Sequence, residues 1–184
     1  MNKTKITSNR LQQRLIEPSD LTAIHHLLIQ PETDEYNALG TPANLNETKT
    51  IVEPWLADHQ LNPLKNYTFF IENATNQEFI GLFGLNIGRD IYKRAEVWFK
   101  ILPEHWGNGY ATEAVKAVIH FSFNSLGLHR IQTGCAVENI ASIKVLEKAG
   151  MIKEGLQRQN LPLKNGWSDN YEYAILDSDT CGSD

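Results

Sequence analysis

Residues 95–126 constrain this chain more than any other stretch. An apolar strand pattern, AEVWFKIL, runs into the glycine loop PEHWGNGY and from there into an amphipathic helix. In the strand, Glu96, Trp98 and Lys100 share one face while Val97, Phe99 and Ile101 share the other. Leu102-Pro103 ends it, because proline cannot donate to a continuing ladder. In the helix, Ala111, Ala114, Val115, Val118, Ile119, Ser122 and Leu126 follow the i, i+3, i+4, i+7 rule, so this face is to be covered by a sheet. Gly107 and Gly109 admit backbone conformations that other residues resist, so several N–H groups can converge at the positive end of the helix dipole. Such a junction can bind an anion. It is not a Walker loop, since no Lys-Ser/Thr follows the glycines, and Thr112 stands where a dinucleotide fingerprint has its third small residue. The same spacing also serves as a plain strand-to-helix turn with no ligand.

Around this junction the pattern predicts a strand over 10–17, then Pro18-Ser19-Asp20 as stop and cap before the helical run LTAIHHLLIQ. A second helix, capped by Asn46 or Thr48, runs to about Gln60, after the turn-rich link PETDEYNALGTPANLN, a candidate substrate-contact loop. YTFFIEN, EFIGLFGLNI and AEVWFKIL form an antiparallel meander with short connections. LHRIQTGCAV is a further strand and ENIASIKVLEKAG a helix closed by Gly150, while MIKEGLQR and DNYEYAILD are the last two strands. The fold class is therefore α/β, of the α+β type: a mixed, mostly antiparallel sheet of about six to seven strands with about four helices packed on it.

With 184 residues, the chain is sized for one domain. Its limits are expected at 10–177, between an N-terminal extension 1–9 and a polar tail 178–184. Asp and Glu number 22 against 17 Lys and Arg, a net charge of −5, without any basic block; nucleic-acid binding by bulk charge is thus disfavoured and cationic or neutral partners are favoured. Cys135 and Cys181 supply neither a disulfide framework nor a cysteine-based zinc site, which suits a reducing cytoplasm. No run approaches a membrane span and the first residues lack a signal-peptide core, so no membrane is expected as partner. His25, His26, His59, His120 and His129 show no ligand spacing, His105 is expected to point outward from the glycine loop, and no metal is expected.

Four ordered segments carry a family resemblance: RLQQRLIEPSD, AEVWFKILPEHWGNGYATEA, ENIASIKVLEKAGMIKEG and NGWSDNYEYAIL. Together they resemble the GNAT N-acetyltransferases, in the branch of the ribosomal-protein N-terminal acetyltransferases (RimJ/RimL-like). The resemblance covers roughly residues 10 to 177. It implies a sheet splayed beside Ile101, with acetyl-CoA as cosubstrate. The backbone at Ile101 and Leu102 would pair with pantetheine, and Gly107, Asn108, Gly109, Tyr110, Ala111 and Thr112 would hold the pyrophosphate. Asn139 would contact the pantetheine amide, and Ser142 would stand close enough to the sulfur to help protonate the thiolate. Two positions depart from the family pattern. Glu104 stands where Gln or Arg is common, and a carboxylate is unwelcome near phosphates. Leu146 stands where many members carry a tyrosine general acid, leaving Ser142, Tyr110 or water.

Transfer of an acetyl group to an amine is mostly positioning and electrostatics. Glu96, on the face of Trp98, either takes a proton from the substrate ammonium or is a strand-end charge paired with Lys93 or Arg94. Ser142 lies on an apolar stripe with Val145, Leu146 and Ala149 and needs a partner, which a helix carbonyl also supplies; Asn139 equally serves as a helix cap. Trp98, Trp167 and Asp169 are candidates for the acceptor, the last two by stacking and charge on a cation. Alternatively, Asn165-Gly166 is a hairpin turn with Trp167 packed and Asp169 at a strand end. The expected reaction joins acetyl-CoA and a primary amine in a ternary complex, with a protein or peptide N-terminus as first acceptor on the resemblance alone. Small amines (polyamine, aminoglycoside, amino-acid analogue) are the rival acceptors, and a non-catalytic acyl-CoA-binding module is the rival class. A homodimer is compatible with the sequence.

Overall fold

The computed structural model describes residues 4–180, so Cys181 lies outside the described residues. Among the described residues eight strands form one sheet: β1 (Lys5–Thr7), β2 (Leu11–Leu15), β3 (Asn66–Asn73), β4 (Phe79–Ile87), β5 (Arg94–Ile101), β6 (Arg130–Ala136), β7 (Ile152–Leu163) and β8 (Gly166–Leu176). Their order across the sheet is β1-β2-β3-β4-β5-β6-β8-β7. Five α-helices accompany them: α1 (Leu21–Leu28), α2 (Pro31–Asp34), α3 (Leu45–Asp58), α4 (Tyr110–Asn124) and α5 (Ile140–Lys148). The expected six to seven strands and four helices thus become eight and five. The additions are β1, an edge strand of three residues, and α2, a single turn inside the proline-containing link. Both are too short to show a period.

The alternation seen in the sequence sorts the sheet into two apolar layers. Phe69, Ile71, Phe83, Val97 and Ile101 pack with Ala114, Val115 and Val118 of α4 and with Leu146 of α5. Phe70, Leu82 and Leu102 pack on the opposite face with Ile24, Leu27 and Leu28 of α1 and Val52 of α3. Asn44, rather than Asn46 or Thr48, caps α3, accepting from the Glu47 N–H at 3.1 Å. The last two strands run longer than the pattern suggests and meet in a hairpin with Leu163 opposite Gly166.

One strand pair decides where chemistry can happen. β4 and β5 are antiparallel along the whole of β5, whereas β5 and β6 run parallel and pair only through Arg94–Arg130, Ala95–Ile131 and Glu96–Gln132. Beyond Glu96 the two strands part, and β6 turns its remaining length to β8. The sheet therefore has a fork in its middle, with α4 and α5 on one face and α1 to α3 on the other.

Gly84 is required for this arrangement: a Cβ there would collide with the Trp98 indole, which lies across β4. We expect Gly84→Ala to displace Trp98 and destabilise the fold by about 1–3 kcal/mol, as denaturant unfolding measures.

Candidate active site

A cavity of about 910 Å³ occupies the fork. Its geometry follows from the parity of β5. The Gly88 N–H donates to the Arg94 carbonyl and the Leu102 N–H to the Ile80 carbonyl, so even-numbered residues turn their backbone groups to β4. Odd-numbered residues turn theirs to β6, as at Val97, whose carbonyl accepts from the Thr133 hydroxyl at 2.8 Å. Past that point β6 has gone, and the backbone groups of Phe99 and the N–H of Ile101 face the gap. The Ile101 carbonyl accepts from the Trp106 indole at 2.8 Å. Ile101 thus lines the cavity; Leu102 does not, since its N–H is engaged by β4 and its side chain, 3% exposed, belongs to the core on the α1 face. An extended amide chain laid against Phe99 and Ile101 would continue the sheet by strand addition.

At the mouth of the gap on the α4 face stands the glycine loop. Gly107 and Gly109 have φ of +78° and +79°, in the left-handed region that favours glycine. Gly109 is the N-cap of α4 and supplies no side-chain cap, so the first N–H groups of the helix, from Tyr110 to Thr112, have no intrahelical acceptor. They are available to an anion, reinforced by the dipole of a 15-residue helix. Gly107, Gly109, Tyr110, Ala111 and Thr112 line the cavity; Asn108 does not, because its amide turns back to the His105 and Trp106 carbonyls.

Arg10 holds this loop, a role the sequence reading missed because β2 and α4 are distant in the chain. Its guanidinium donates to the Asn108 carbonyl at 3.0 Å and to Glu113 at 2.7 Å, and it covers the Tyr110 ring at 4.6 Å. Burial pushes the Glu113 carboxyl up, but bonds from the Arg10 backbone N–H, the Ser8 hydroxyl and the Arg10 side chain outweigh burial and hold it below its ordinary value. Glu104 reaches towards His26 at 4.0 Å, which puts its charge on α1 rather than on the loop. His105, expected to point outward, instead folds in, its Nε2 3.2 Å from the Phe79 carbonyl. If the loop holds acetyl-CoA as the resemblance implies, Arg10→Ala weakens its binding about ten- to a hundredfold, as one charge-assisted bond is worth roughly 1.5–3 kcal/mol. Isothermal calorimetry checks it.

On the α5 side, Asn139 caps the helix, its Oδ1 accepting from the Ser142 N–H at 3.0 Å. Asn139, Ser142 and Leu146 all line the cavity, as does Cys135, whose thiol burial pushes up to about 11, leaving it a poor nucleophile.

The other face of the fork is different in chemistry. Tyr171 and Tyr173 belong with the α4 layer, so alternation turns Asn170 and Glu172 of β8 the opposite way, onto the face of Glu96 and Trp98. Glu96, Trp98, Asn170 and Glu172 line the cavity with Glu32, Glu35 and Tyr36 from α2 and its following turn, and Trp55 of α3. The Trp55 and Trp98 ring centroids are 5.6 Å apart. Burial raises the Glu172 carboxyl above its ordinary value and the nearby Glu96 charge adds to the rise, against a bond from Asn170 Nδ2 at 2.7 Å that lowers it. Gly134, opposite Glu172 across β6, leaves the space that the Asn170 amide fills: a Cβ there would stand 2.5 Å from its nitrogen. Glu172 could have been noticed in the sequence, as the carboxylate of the alternating run NYEYAI.

Trp167 and Asp169 are not part of this assembly. Trp167, 66% exposed, pairs with Pro162 in the hairpin, and Asp169 accepts from the Gln159 N–H at 2.8 Å to shape the β7 bulge. The hairpin contributes through other residues. Asn160 and Leu161 line the cavity, and Lys164 closes on Asp34 of α2 at 2.5 Å and on the Thr41 hydroxyl at 3.2 Å. Among the described residues, no group of His, Cys, Asp and Glu could hold a metal ion, and no helix is long and apolar enough to cross a membrane.

Residues 10–152 match the family model described as the acetyltransferase (GNAT) domain. The chain is similar to the uncharacterized N-acetyltransferase YoaA of Bacillus subtilis (strain 168), 30% identical over 93% of this chain and 96% of that protein. It is also similar to the ribosomal-protein-serine acetyltransferase of Escherichia coli (strain K12), 27% identical over 97% of this chain and 99% of that one. Among solved structures, the spermidine N-acetyltransferase of Vibrio cholerae in complex with CoA and spermine superposes with a TM-score of 0.82 at 27% identity, covering 94% of this chain and 98% of that chain.

Proposed function

Because this chain belongs to the GNAT acetyltransferase family and is an acetyl-CoA-dependent N-acetyltransferase, we propose that its acceptor is the α-amino group of a protein or peptide N-terminus, attacked directly in a ternary complex. The observation that carries the ternary complex is the fork: donor groups for an anion lie at one mouth, carboxylates for a cation at the other, and one cavity joins them. The relative that acts on a ribosomal-protein serine supports the acceptor.

Acetyl-CoA supplies the acetyl thioester. The N–H groups of Tyr110, Ala111 and Thr112 hold its phosphates, and Phe99 and Ile101 receive the pantetheine arm. The Ile101 N–H polarises the thioester carbonyl. Glu96 and Glu172 divide the work on the amine: Glu96 attracts the ammonium, and Glu172, whose carboxyl burial raises above its ordinary value, accepts its proton. The free amine then attacks the carbonyl carbon, the C–S bond breaks, and the proton that the nitrogen sheds on becoming an amide passes to the thiolate through the Ser142 hydroxyl or water.

A second acceptor class, a small amine, is favoured by the Lys164–Asp34 clasp, which draws the β7–β8 hairpin to α2 beside the acceptor region. Thiol release from acetyl-CoA measured against N-terminal peptides, polyamines and aminoglycosides tests both. Peptide-dependent release supports the first reading and release with polyamines or aminoglycosides alone supports the second. Tight acetyl-CoA binding with no release from any amine would leave a non-catalytic acyl-CoA-binding module.

A further inference from the structure

Lys100 lines the acceptor side of the cavity with a charge of the wrong sign for an amine. It sits on β5 two residues beyond Trp98 and on the same face, about 7 Å further along the strand. It is 5% exposed and lines the cavity, yet its Nζ has no hydrogen-bond partner among the described residues. The opposite charge felt there, that of Asp34, is engaged through one oxygen only. Asp34, 2% exposed, gives its Oδ2 to Lys164 and to the Thr41 hydroxyl at 2.9 Å. It does not come within ion-pair distance of Lys100, although its charge is felt there. Burial, the largest cause, pulls the Lys100 ammonium down to about 8, with the Asp34 charge opposing and Lys164 adding to the fall.

A buried ammonium with no partner is costly to the folded chain, and what relieves it is an acceptor oxygen. Among the described residues none comes within hydrogen-bonding distance: the Asp34 Oδ1, itself buried without a partner, stops short of the nitrogen, and Lys100 lines the cavity. Around it the charges are arranged as for a dipolar guest: Glu96 and Glu172 near the fork for the cationic end, and Lys100 deeper, beneath α2, for an oxygen.

We infer that Lys100 is a specificity-determining residue whose ammonium takes a carboxylate or carbonyl oxygen carried by the acceptor close to its amine, so that amino-acid-like and peptidyl amines are selected over polyamines. A polyamine offers only further cations, which Lys100 repels, so the one side chain both attracts the right acceptor and rejects the wrong one. The inference rests on the proposed transfer to an α-amino group and names what that acceptor carries.

The test uses the full chain and Lys100→Met, which keeps the length and apolar stem. Steady-state kinetics with alanyl-alaninamide and with spermidine, and calorimetric titration of alanyl-alaninamide into the CoA-loaded protein, are the readouts. In Lys100→Met the ratio of kcat/KM for the dipeptide to that for spermidine falls about tenfold or more, as expected for loss of a charge-assisted bond. The fall comes through KM, and dipeptide binding weakens alike. Lys100→Gln, which keeps a donor without the charge, falls between. An unchanged ratio in a variant that unfolds normally, or a wild-type protein preferring spermidine, overturns the inference. If no amine supports thiol release while dipeptide binding still depends on Lys100, the acetyl-transfer reading fails and the role of Lys100 stands.

Discussion

Gly109→Trp is expected to abolish acetyl-CoA binding while leaving a folded protein. Two separate effects act at this position. The backbone at Gly109 has φ +79°, and a residue with a Cβ there bears a cost of about 1–2 kcal/mol. That cost falls on the loop and not on the cores, because a Cβ meets only the Arg10 guanidinium at 3.6 Å. The larger effect is on the ligand. An indole at the N-cap of α4 stands over the N–H groups of Tyr110 to Thr112, which lack any other acceptor. Losing two bonds to a charged phosphate at roughly 1.5–3 kcal/mol each lowers the affinity by about two to four powers of ten. Calorimetry with acetyl-CoA, alongside circular dichroism to establish folding, measures it. Unchanged affinity in a folded variant would refute the placement of the phosphates.

The strands and helices that could be read from the sequence were those with a repeating burial pattern. β3, β4, β5 and α4 bury one or both faces along most of their length, and their apolar spacing announces them. β7 is exposed along nearly all its twelve residues, so its alternation has little to report and its end near Leu163 could not be placed. The glycine loop was legible because glycine has a local reason to be where it is. The fork was foreseen only through the family resemblance, since it depends on where β6 leaves β5, and nothing in either strand's own sequence records the length of their pairing.

The same distinction separates Ile101 from Leu102. Both end the same strand, and only the parity of hydrogen bonding, set by the partner β4, tells which turns to the gap. Trp167 and Asp169 were candidates by residue type alone, and the hairpin carries them away from the cavity. Lys100 was visible as a cation on the face of Glu96 and Trp98. What gives it meaning is the lack of a partner, which only the assembled layers reveal.

Glu172→Gln is expected to lower kcat by about 10²–10⁴-fold, the usual contribution of a general base, with little change in acetyl-CoA affinity. Glu172 and Glu96, two of the carboxylates lining the acceptor mouth, differ in surroundings. Glu172 is partly withdrawn from water on β8, and its own burial and the charge of Glu96 both disfavour ionisation, so its carboxyl titrates above the ordinary range. A base of that kind takes a proton more readily than an exposed carboxylate does, and it must be ionised to act. Activity at limiting acceptor therefore rises with pH through the titration of Glu172. In Glu172→Gln that acidic limb disappears and the remaining pH dependence is that of the acceptor amine. Glu96→Gln behaves differently: removing its charge lets Glu172 ionise more easily, so the acidic limb moves to lower pH, while KM for the acceptor rises from loss of attraction. A weaker base then slows turnover, but by less than loss of Glu172 itself. The pH profiles of kcat/KM for both variants decide between them. A Glu172→Gln protein that keeps wild-type turnover and its acidic limb would transfer the role of base to Glu96, and silence in both variants would move it to Glu32 or Glu35, which line the same face.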